Sequence, residues 1–355
     1  MAGSQVLVTG AMGRVAAQLI PALAERWQLR LVDRAGGAGG VSGAPLIVGE
    51  LTDREVLNQV LAGVDAVVHL AWALQPGRHP DQLRRVNVDG TRRVARAAAA
   101  AGVSQFVHLS SIGAYTAGAV GQKVSEDWPT TGIPSAQYSR DKSEAERVVR
   151  QVMSRHPGTT LTVVRPTLIL QPEASSEIGR YFLGPWLFGA ARLLPGALAR
   201  LLPLPLPAVA VSFVHADDVA DALERMLDRR APGPFNLAAE PVLDSDAIAR
   251  ALGTMRVPVP ALALRTVLQA AFTARVVPTE PGWLDIGTHV PALDTSRARK
   301  LLDWEPIHRS DEVLSQFVAA LGRGDGAPGP LLSPAGGRLL DPAGDPENAP
   351  GPGGN

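Results

Sequence analysis

The first 170 residues alternate short apolar runs with longer amphipathic stretches. The apolar runs are nearly continuous in hydrophobicity, which is typical of strands covered by helices on both faces. Six strands are predicted: Gln5–Thr9, Leu29–Asp33, Leu46–Val48, Ala66–Leu70, Phe106–Ser110 and Leu161–Arg165. The stretches between them predict four helices: Arg14–Arg26, Asp53–Leu61, Asp81–Ala101 and Gln137–His156. This alternation predicts an α/β fold, with a doubly wound parallel sheet.

The regular alternation ends after Pro166. Residues 171–211 are apolar and interrupted by prolines, whereas residues 212–240 contain strand-like runs and a helix beginning near Asp218, and we expect them to return to the sheet. Helices are predicted again at Ser245–Leu252 and after Asp294. We therefore expect a sheet domain of residues 1–170 with 212–240, and a smaller C-terminal substrate-binding region of 171–211 and 241–321.

The last segment of the chain has a different composition. Glycine or proline occupies 17 of the 34 positions from Gly322 to Asn355. Such a segment cannot bury enough apolar surface to offset its ordering entropy, so residues 322–355 are predicted to form a disordered tail.

Charge and composition exclude several classes of protein. Lys+Arg and Asp+Glu both number 34, so there is no net positive charge for a nucleic acid to bind. The most apolar stretch, Tyr181–Val211, is broken by arginines and prolines, and no run reaches the roughly 18–20 apolar residues that a membrane-spanning helix needs. The chain has no cysteine, which excludes disulfides and thiolate nucleophiles and fits a cytoplasmic protein.

A glycine-containing turn joins the first predicted strand to the first helix. Gly10 and Gly13 permit a tight turn that exposes backbone N–H groups at a helix N-terminus, where a pyrophosphate can bind. Ala16 takes the place of a third glycine and still allows close packing. Glycines also occur in ordinary turns of this kind, so the motif alone is weak. Read as a Rossmann dinucleotide-binding loop, it has these candidate residues: Gly10, Met12, Gly13, Arg14 and Val15.

Asp33 ends the second predicted strand, about 20 residues after the glycines. A carboxylate there would accept hydrogen bonds from the adenosine ribose hydroxyls and repel the 2′-phosphate of NADP, so NAD is favoured. Arg34 leaves NADP possible, because a guanidinium can pair with that phosphate. A plain turn residue is the alternative role for Asp33. Glu50 and Leu51, after the third strand, could contact the adenine.

Tyr138 and Lys142 lie four residues apart, on one face of a predicted helix. A neighbouring ammonium favours the phenolate and brings the tyrosine pKa toward neutrality, as acid–base catalysis requires. The chain has three tyrosines, and its only lysines are Lys123, Lys142 and Lys300, so about 0.03 chance occurrences of this spacing are expected. Ser111 follows a predicted strand and could orient a substrate carbonyl near Tyr138. A surface cation–ring pair and a turn-capping serine are the structural alternatives.

Together these motifs resemble an extended short-chain dehydrogenase/reductase, of the NAD-dependent epimerase/dehydratase family. The resemblance runs from Gln5 to about Leu314. It rests on blocks in a fixed order: Thr9–Gly13, His69–Ala71, Asn87–Thr91, Ser110–Ser111 with Tyr115, Tyr138–Lys142, Arg165–Thr167, Phe213–Asp218 and Asp294–Pro306.

The resemblance implies roles for individual residues. Tyr138 would be the general acid/base, Lys142 would bind the nicotinamide ribose and depress the pKa of Tyr138, and Ser111 would orient the reacting oxygen. Asn87 would fix the active-site helix and a water. Further cofactor contacts are expected at Leu70, Ala71, Ala73, Pro166 and Leu168. His69, His108 and His215 lie in strand-like blocks without the spacing of metal ligands, so no metal site is expected.

The family commonly forms homodimers through the two long helices, here Asp81–Ala101 and Gln137–His156. A homodimer is therefore predicted, and Ala95 with Ala97–Ala101 could form a close-packed face.

The substrate is less well defined by the sequence. Nucleotide-sugar members of the family usually carry an asparagine where this chain has Leu168, and an arginine just before the Phe-Val-His block, where it has Val211 and Ser212. Loss of an amide and a guanidinium weakens the case for a diphosphate ligand. The apolar segment Tyr181–Val211 favours hydride transfer between NAD(H) and a ketone or secondary alcohol of a small, largely apolar metabolite. A nucleotide-sugar epimerase or dehydratase is one alternative, and a non-catalytic NAD(P)-binding sensor is another, although sensors typically lose the tyrosine or the lysine.

Overall fold

The computed structural model describes residues 4–34, 43–74, 79–175, 178 and 203–323. Its strands are β1 Gln5–Thr9, β2 Gln28–Asp33, β3 Leu46–Val48, β4 Ala66–His69, β5 Gln105–Leu109, β6 Lys123–Val124, β7 Thr160–Pro166, β8 Leu168–Leu170, β9 Leu204–Leu206, β10 Ala210–Val211, β11 Phe213–His215, β12 Gly233–Leu237, β13 Leu243–Asp244, β14 Arg256–Pro258 and β15 Ala292–Leu293.

The α-helices are α1 Arg14–Ala24, α2 Arg54–Leu61, α3 Pro80–Arg84, α4 Thr91–Ala100, α5 Gln137–Met153, α6 Ala216–Asp228, α7 Ser245–Ala251, α8 Ala261–Thr273, α9 Gly282–His289, α10 Ser296–Leu302 and α11 Ser310–Arg323. Short 3₁₀ turns occupy Ile112–Ala114 and Pro172–Ala174, and a π-helical turn occupies Arg85–Gly90.

Seven parallel strands form the central sheet, in the order β12-β7-β5-β4-β1-β2-β3. The chain order reverses between β1 and β4, which opens a crevice at the carboxyl ends of the strands, where doubly wound sheets bind ligands. The predicted doubly wound fold is confirmed. The strand predicted at Phe235–Leu237 is present as β12 and extends the sheet beside β7.

Helices cover both faces of the sheet, which explains why its strands are nearly continuous in hydrophobicity. One face packs against α1 and α6, and the other packs against α2, α4 and α5. Ala95, Ala98 and Ala99 of α4 are buried in this second layer, within the chain itself. These three alanines are therefore not available to a second subunit, because their small side chains let α4 pack closely within its own protomer. Ala97 is partly exposed, and Ala100 and Ala101 are exposed, so their place in a subunit interface stays a prediction.

The predicted helix Asp81–Ala101 is present as one helical run from Pro80 to Ala100, made of α3, the π-helical turn Arg85–Gly90 and α4. Asn87 lies in the π-helical turn, and its side chain bonds the loop after β4. Helix α6 begins at Ala216, before the predicted start near Asp218, because the His215 ring caps it by accepting a hydrogen bond from the Asp217 N–H.

Four two-stranded sheets shape the rest of the chain: β11 with β8, β10 with β13, β14 with β9, and β15 with β6. The described residues contain no helix long and apolar enough to cross a bilayer. Most of the apolar segment Tyr181–Val211, namely residues 181–202, lies outside the described residues. Helix α11 includes Gly322 and Arg323, the first two residues of the predicted disordered tail. The rest of that tail, residues 324–355, lies outside the described residues.

Candidate active site

The glycine turn between β1 and α1 leaves no room for a side chain at Gly10. Its φ is +73°, and a Cβ there would lie 2.7 Å from the backbone of Ala71, at the end of the neighbouring strand. Gly13 is the N-cap of α1, no side chain caps the helix, and its first turn carries no acidic residue. The first N–H groups of α1 and its positive dipole end therefore suit a pyrophosphate, so the loop fits NAD.

Asp33 holds this loop from the next strand. Its Oδ2 accepts a hydrogen bond from the Met12 N–H at 3.0 Å, so the carboxylate sits beside the glycine turn. The Gly49 N–H donates to the Asp33 carbonyl at 2.9 Å, which brings Glu50 and Leu51 to the same edge of the sheet. Arg34 is exposed beside them. The predicted adenosine-side residues are thus brought together at one edge.

The segment after β4 is fixed by Asn87. Its Oδ1 accepts from the Ala73 N–H and its Nδ2 donates to the Ala73 carbonyl, both at 2.8 Å. These two bonds tie the helix that carries Asn87 to Ala73 in the loop after β4, and the predicted role of Asn87 on the active-site helix stays a prediction.

Ser111, rather than Ser110, lies beside Tyr138. The Ser111 Oγ accepts from the Gly113 N–H at 3.0 Å and is hydrogen-bonded to Tyr138. A Cβ on Gly113 would come within 2.9 Å of the Tyr138 ring, so this glycine lets the ring pack against the backbone. Ser110 instead donates to Glu146 at 2.8 Å, away from Tyr138.

Lys142 is buried one helical turn from Tyr138. Its Nζ donates to the Leu109 carbonyl at 2.9 Å and lies 3.6 Å from the centroid of the Trp72 ring. Burial lowers the pKa of Lys142 to about 7, although Glu146 opposes the change. This ammonium therefore titrates near neutrality.

Burial raises the pKa of Tyr138, while the hydrogen bond with Ser111 and the charge of Arg14 lower it. The Lys142 ammonium is directed to Trp72 and lies 5.9 Å from the Tyr138 ring centroid, and the depression of the Tyr138 pKa by Lys142 stays a prediction.

A buried ion pair between Arg165 and Glu146 lies beside the site. Arg165 contacts Glu146 at 2.5 Å, and their side chains are 2% and 1% exposed. Arg165 also donates to the Tyr115 hydroxyl at 2.8 Å, and Tyr115 donates to Asn236 of β12 at 2.6 Å. Burial alone would raise the pKa of Glu146, but Arg165, Arg150 and Ser110 outweigh it and hold that pKa below its ordinary value. Sequence reasoning noted Arg165 and Tyr115 only as motif residues.

Glu280, Gly282 and Trp283 close the site from the C-terminal region. Helix α5 has Ala136 at its N-cap and no side-chain cap of its own. The Glu280 carboxylate instead accepts from the Gln137 N–H at 3.1 Å, from 143 residues away. A Cβ on Gly282 would lie 2.7 Å from Ala136, so α9 approaches α5 very closely. The Trp283 ring packs on Tyr138 with centroids 4.8 Å apart.

A cleft opens beside Tyr138. Its apolar lining consists of Ala73, Leu74, Leu83, Pro278 and Trp283. Its polar lining consists of Asn87, Gln137, Tyr138, Asp141 and Glu280. Among the residues that the structure describes, no arginine or lysine lines it. Burial raises the pKa values of both Asp141 and Glu280.

The remaining predicted cofactor contacts follow β7. Pro166 ends that strand, which runs parallel to β5, and Leu168 follows in β8 with 40% of its surface exposed. Both therefore lie toward the edge of the sheet that carries Ser111.

The two histidines of the central sheet differ: His69 is hydrogen-bonded, whereas neither ring nitrogen of His108 has a hydrogen-bond partner among the described residues. His69 bridges the hydroxyls of Thr9 and Thr91, at 2.8 and 2.9 Å. Burial lowers its pKa to about 3, so the ring is neutral. His108 stacks on His69, with ring centroids 5.8 Å apart. Away from the cleft, His215, Asp217 and His308 offer possible ligand atoms within 4.8 Å of one another.

Comparison with known proteins agrees with this architecture. The sequence profile of the NAD dependent epimerase/dehydratase family matches residues 6–238. A 4-hydroxy-2-methyl-3-oxo-4-farnesyl-3,4-dihydroquinoline-1-oxide ketoreductase from Stigmatella aurantiaca is 35% identical over 170 residues, which are 46% of this chain and 50% of that protein. The chain thus spans about half the length of the curated relatives that it matches first.

Solved structures show the same fold over most of the chain. A short-chain dehydrogenase/reductase superfamily protein from Agrobacterium tumefaciens, with bound NAD, is 26% identical and has a TM-score of 0.66, covering 89% of this chain and 96% of that one. A UDP-glucuronic acid 4-epimerase from Bacillus cereus has a TM-score of 0.64 at 16% identity, covering 90% and 99%. The chain therefore belongs to the NAD dependent epimerase/dehydratase family, within the extended short-chain dehydrogenases/reductases.

Proposed function

We propose that this protein is an oxidoreductase that transfers hydride between NAD(H) and the carbonyl or alcohol carbon of an uncharged, largely apolar metabolite. The observation that carries this proposal is the lining of the cleft beside Tyr138. It combines apolar side chains with the carboxyl groups of Asp141 and Glu280, and no described guanidinium or ammonium lines it. The described lining thus offers no arginine clamp of the kind that a diphosphate needs, and the nearby Arg84 is paired with Asp141 at 3.4 Å.

Each residue then has a defined task in the reductive direction. When bound, NADH would supply the hydride. Tyr138 donates the proton to the substrate oxygen, and Ser111 holds that oxygen by a hydrogen bond. Lys142 binds the nicotinamide ribose, and Asn87 keeps the adjoining loop in place through Ala73. Asp33 binds the adenosine ribose and favours NAD over NADP.

The ketoreductase relative favours net reduction over a redox-neutral cycle, because its name describes a ketone substrate carrying a farnesyl group. An epimerase or dehydratase would use the same hydride transfer twice and return the cofactor unchanged. The two functions differ in whether nicotinamide is consumed.

The test is to incubate the purified protein with NADH and a panel of uncharged ketones, and separately with UDP-sugars. Stoichiometric loss of NADH absorbance with a ketone is expected, and no product is expected from UDP-sugars. Epimerised or dehydrated UDP-sugar without net NADH consumption would overturn the proposal.

We further propose that the protein is a cytoplasmic homodimer. The buried alanines of α4 leave pairing to the outer sides of α4 and α5, where Arg92, Glu144 and Arg147 lie. Light scattering that gives the mass of one chain across the micromolar range would contradict the dimer.

A further inference from the structure

Two of the six tryptophans of the chain lie against Tyr138, and they come from distant parts of the sequence. The Trp283 ring is tilted by 33° from the Tyr138 ring, at 4.8 Å between centroids. The Trp72 ring meets Tyr138 at 78°, at 6.0 Å. One indole is thus tilted on the tyrosine ring and the other is close to perpendicular to it. Trp283 lines the cleft, whereas Trp72 is not among its lining residues.

Trp72 is held beside Tyr138 by contacts of its ring. Its indole N–H is buried without a hydrogen-bond partner among the described residues, while its face lies 3.6 Å from the Lys142 ammonium. The contact is a cation–π interaction, which fixes the plane of the indole beside both Tyr138 and Lys142. The position of Trp72 is therefore coupled to the two residues that carry the proposed chemistry.

Trp283 is also held rigidly. Gly282 allows the first turn of α9 to contact Ala136, and Glu280 bonds the start of α5. Trp283 is half-buried and lines the cleft, so part of its surface is open to a ligand that approaches Tyr138. A fixed aromatic surface loses little side-chain entropy when a ligand packs on it.

We propose that Trp283 is a specificity residue that selects a flat, ring-containing ketone or secondary alcohol over a saturated one. Flat rings gain from offset stacking and edge-to-face contact with indoles, and saturated rings are thicker and lack a π face. The proposal rests on the proposed function, because it assumes that the reacting oxygen reaches Tyr138 and Ser111 from this cleft.

The test compares two ketones with the same ten-carbon bicyclic skeleton, 2-tetralone and 2-decalone. Their binding to the NAD-loaded protein is measured by calorimetry. We expect 2-tetralone to bind about tenfold more tightly, the difference that one aromatic pair typically supplies. The variant Trp283→Leu should lose this preference, and Trp283→Phe should retain most of it. Leu284→Ala is the matched control on the same helix, because Leu284 does not line the cleft and the preference should persist.

Equal binding of the two ketones by the wild type, binding of neither, or an unchanged preference in Trp283→Leu would overturn the proposal. NAD affinity is measured for every variant, so that a general loss of the site is recognised. If the protein binds 2-tetralone with the expected preference but does not oxidise NADH with it, the proposed function is wrong. The inference on ring shape is then still supported.

Discussion

The cofactor side and the substrate side of this site are built in different ways. On the cofactor side, Gly10, Met12 and Asp33 form a cradle from backbone groups and one carboxylate, all within the first βαβ unit. On the substrate side, Glu280, Gly282 and Trp283 reach the start of α5 from 143 residues away. The cofactor side is a local property of a motif, whereas the substrate side exists only when the C-terminal region is docked.

This difference predicts where substitutions act. A change in the cradle should weaken cofactor binding or alter its selectivity without unfolding the chain. A change in the long-range contacts should instead alter stability and substrate use while the cofactor still binds.

The largest effect is expected from Gly10→Ala. The new Cβ would lie 2.7 Å from the Ala71 backbone at a positive φ, which should displace the loop and weaken NAD binding by about 100-fold or more, measured by calorimetry. Gly102→Ala is the matched control, because Gly102 has φ +74° and nothing within 4 Å of its Cβ position. The control should lose about 1 kcal/mol of stability and keep its NAD affinity. Similar NAD affinities in the two variants would contradict the prediction that the turn at Gly10 holds the cofactor.

The next effect concerns the buried pair that supports both sides. Arg165→Met should lower the free energy of unfolding by about 3–5 kcal/mol, because Glu146 keeps its charge and loses its main buried partner. Arg150 is a second partner of the Glu146 carboxylate, and the Arg150 side chain is 41% exposed. Arg150→Met should therefore lower the free energy of unfolding by only about 0–1 kcal/mol. Chemical denaturation measures both.

Glu146 also predicts a pH dependence. Its pKa is below the ordinary value in the folded protein, so its stabilisation is present above the unfolded pKa of about 4.3 and is lost as the pH falls through the folded pKa. In Arg165→Met this acid-induced loss should shrink. If the free energy of unfolding of Arg165→Met falls at low pH as much as that of the wild type, Arg165 is not the cause of the lowered Glu146 pKa.

A smaller effect is expected at Glu280. Glu280→Ala leaves α5 without its cap and should lower the free energy of unfolding by about 0.5–2 kcal/mol, measured by denaturation. Glu280→Gln keeps an acceptor oxygen and should be at least as stable as the wild type at pH 7. Burial raises the pKa of Glu280, so its contribution is largest at low pH and falls as the pH rises through that pKa. Equal losses in the two variants would argue against the cap.

The smallest effect concerns cofactor choice. Asp33→Ala removes the carboxylate beside the Met12 N–H, and the ratio of NAD to NADP affinity should fall about tenfold. Titration of the wild type and the variant with both cofactors measures it. A wild type that prefers NADP would overturn the role of Asp33.

The comparison also explains what the sequence could predict. The strands, the glycine turn and Asp33 follow from local patterns, and Tyr138 with Lys142 stood out because tyrosine and lysine are scarce in this chain. The family resemblance implied that Ser111 orients the reacting oxygen, and Ser111 is hydrogen-bonded to Tyr138 in the structure.

Other features depend on tertiary contacts that leave no local mark. Glu280 caps a helix far from it in sequence, Trp72 attracts the Lys142 ammonium, and Asn87 turns toward Ala73. The lack of a capping residue at Ala136 was the one signal that α5 needs a partner from elsewhere.

The central claim is that Tyr138 protonates the oxygen of an uncharged ketone during net hydride transfer. The most direct measurement is turnover by Tyr138→Phe of a ketone that the wild type reduces, together with its NADH affinity. The account predicts an NADH affinity close to that of the wild type and a fall in turnover of about 10²- to 10⁴-fold. Turnover near the wild-type rate, with NADH still bound, would contradict it.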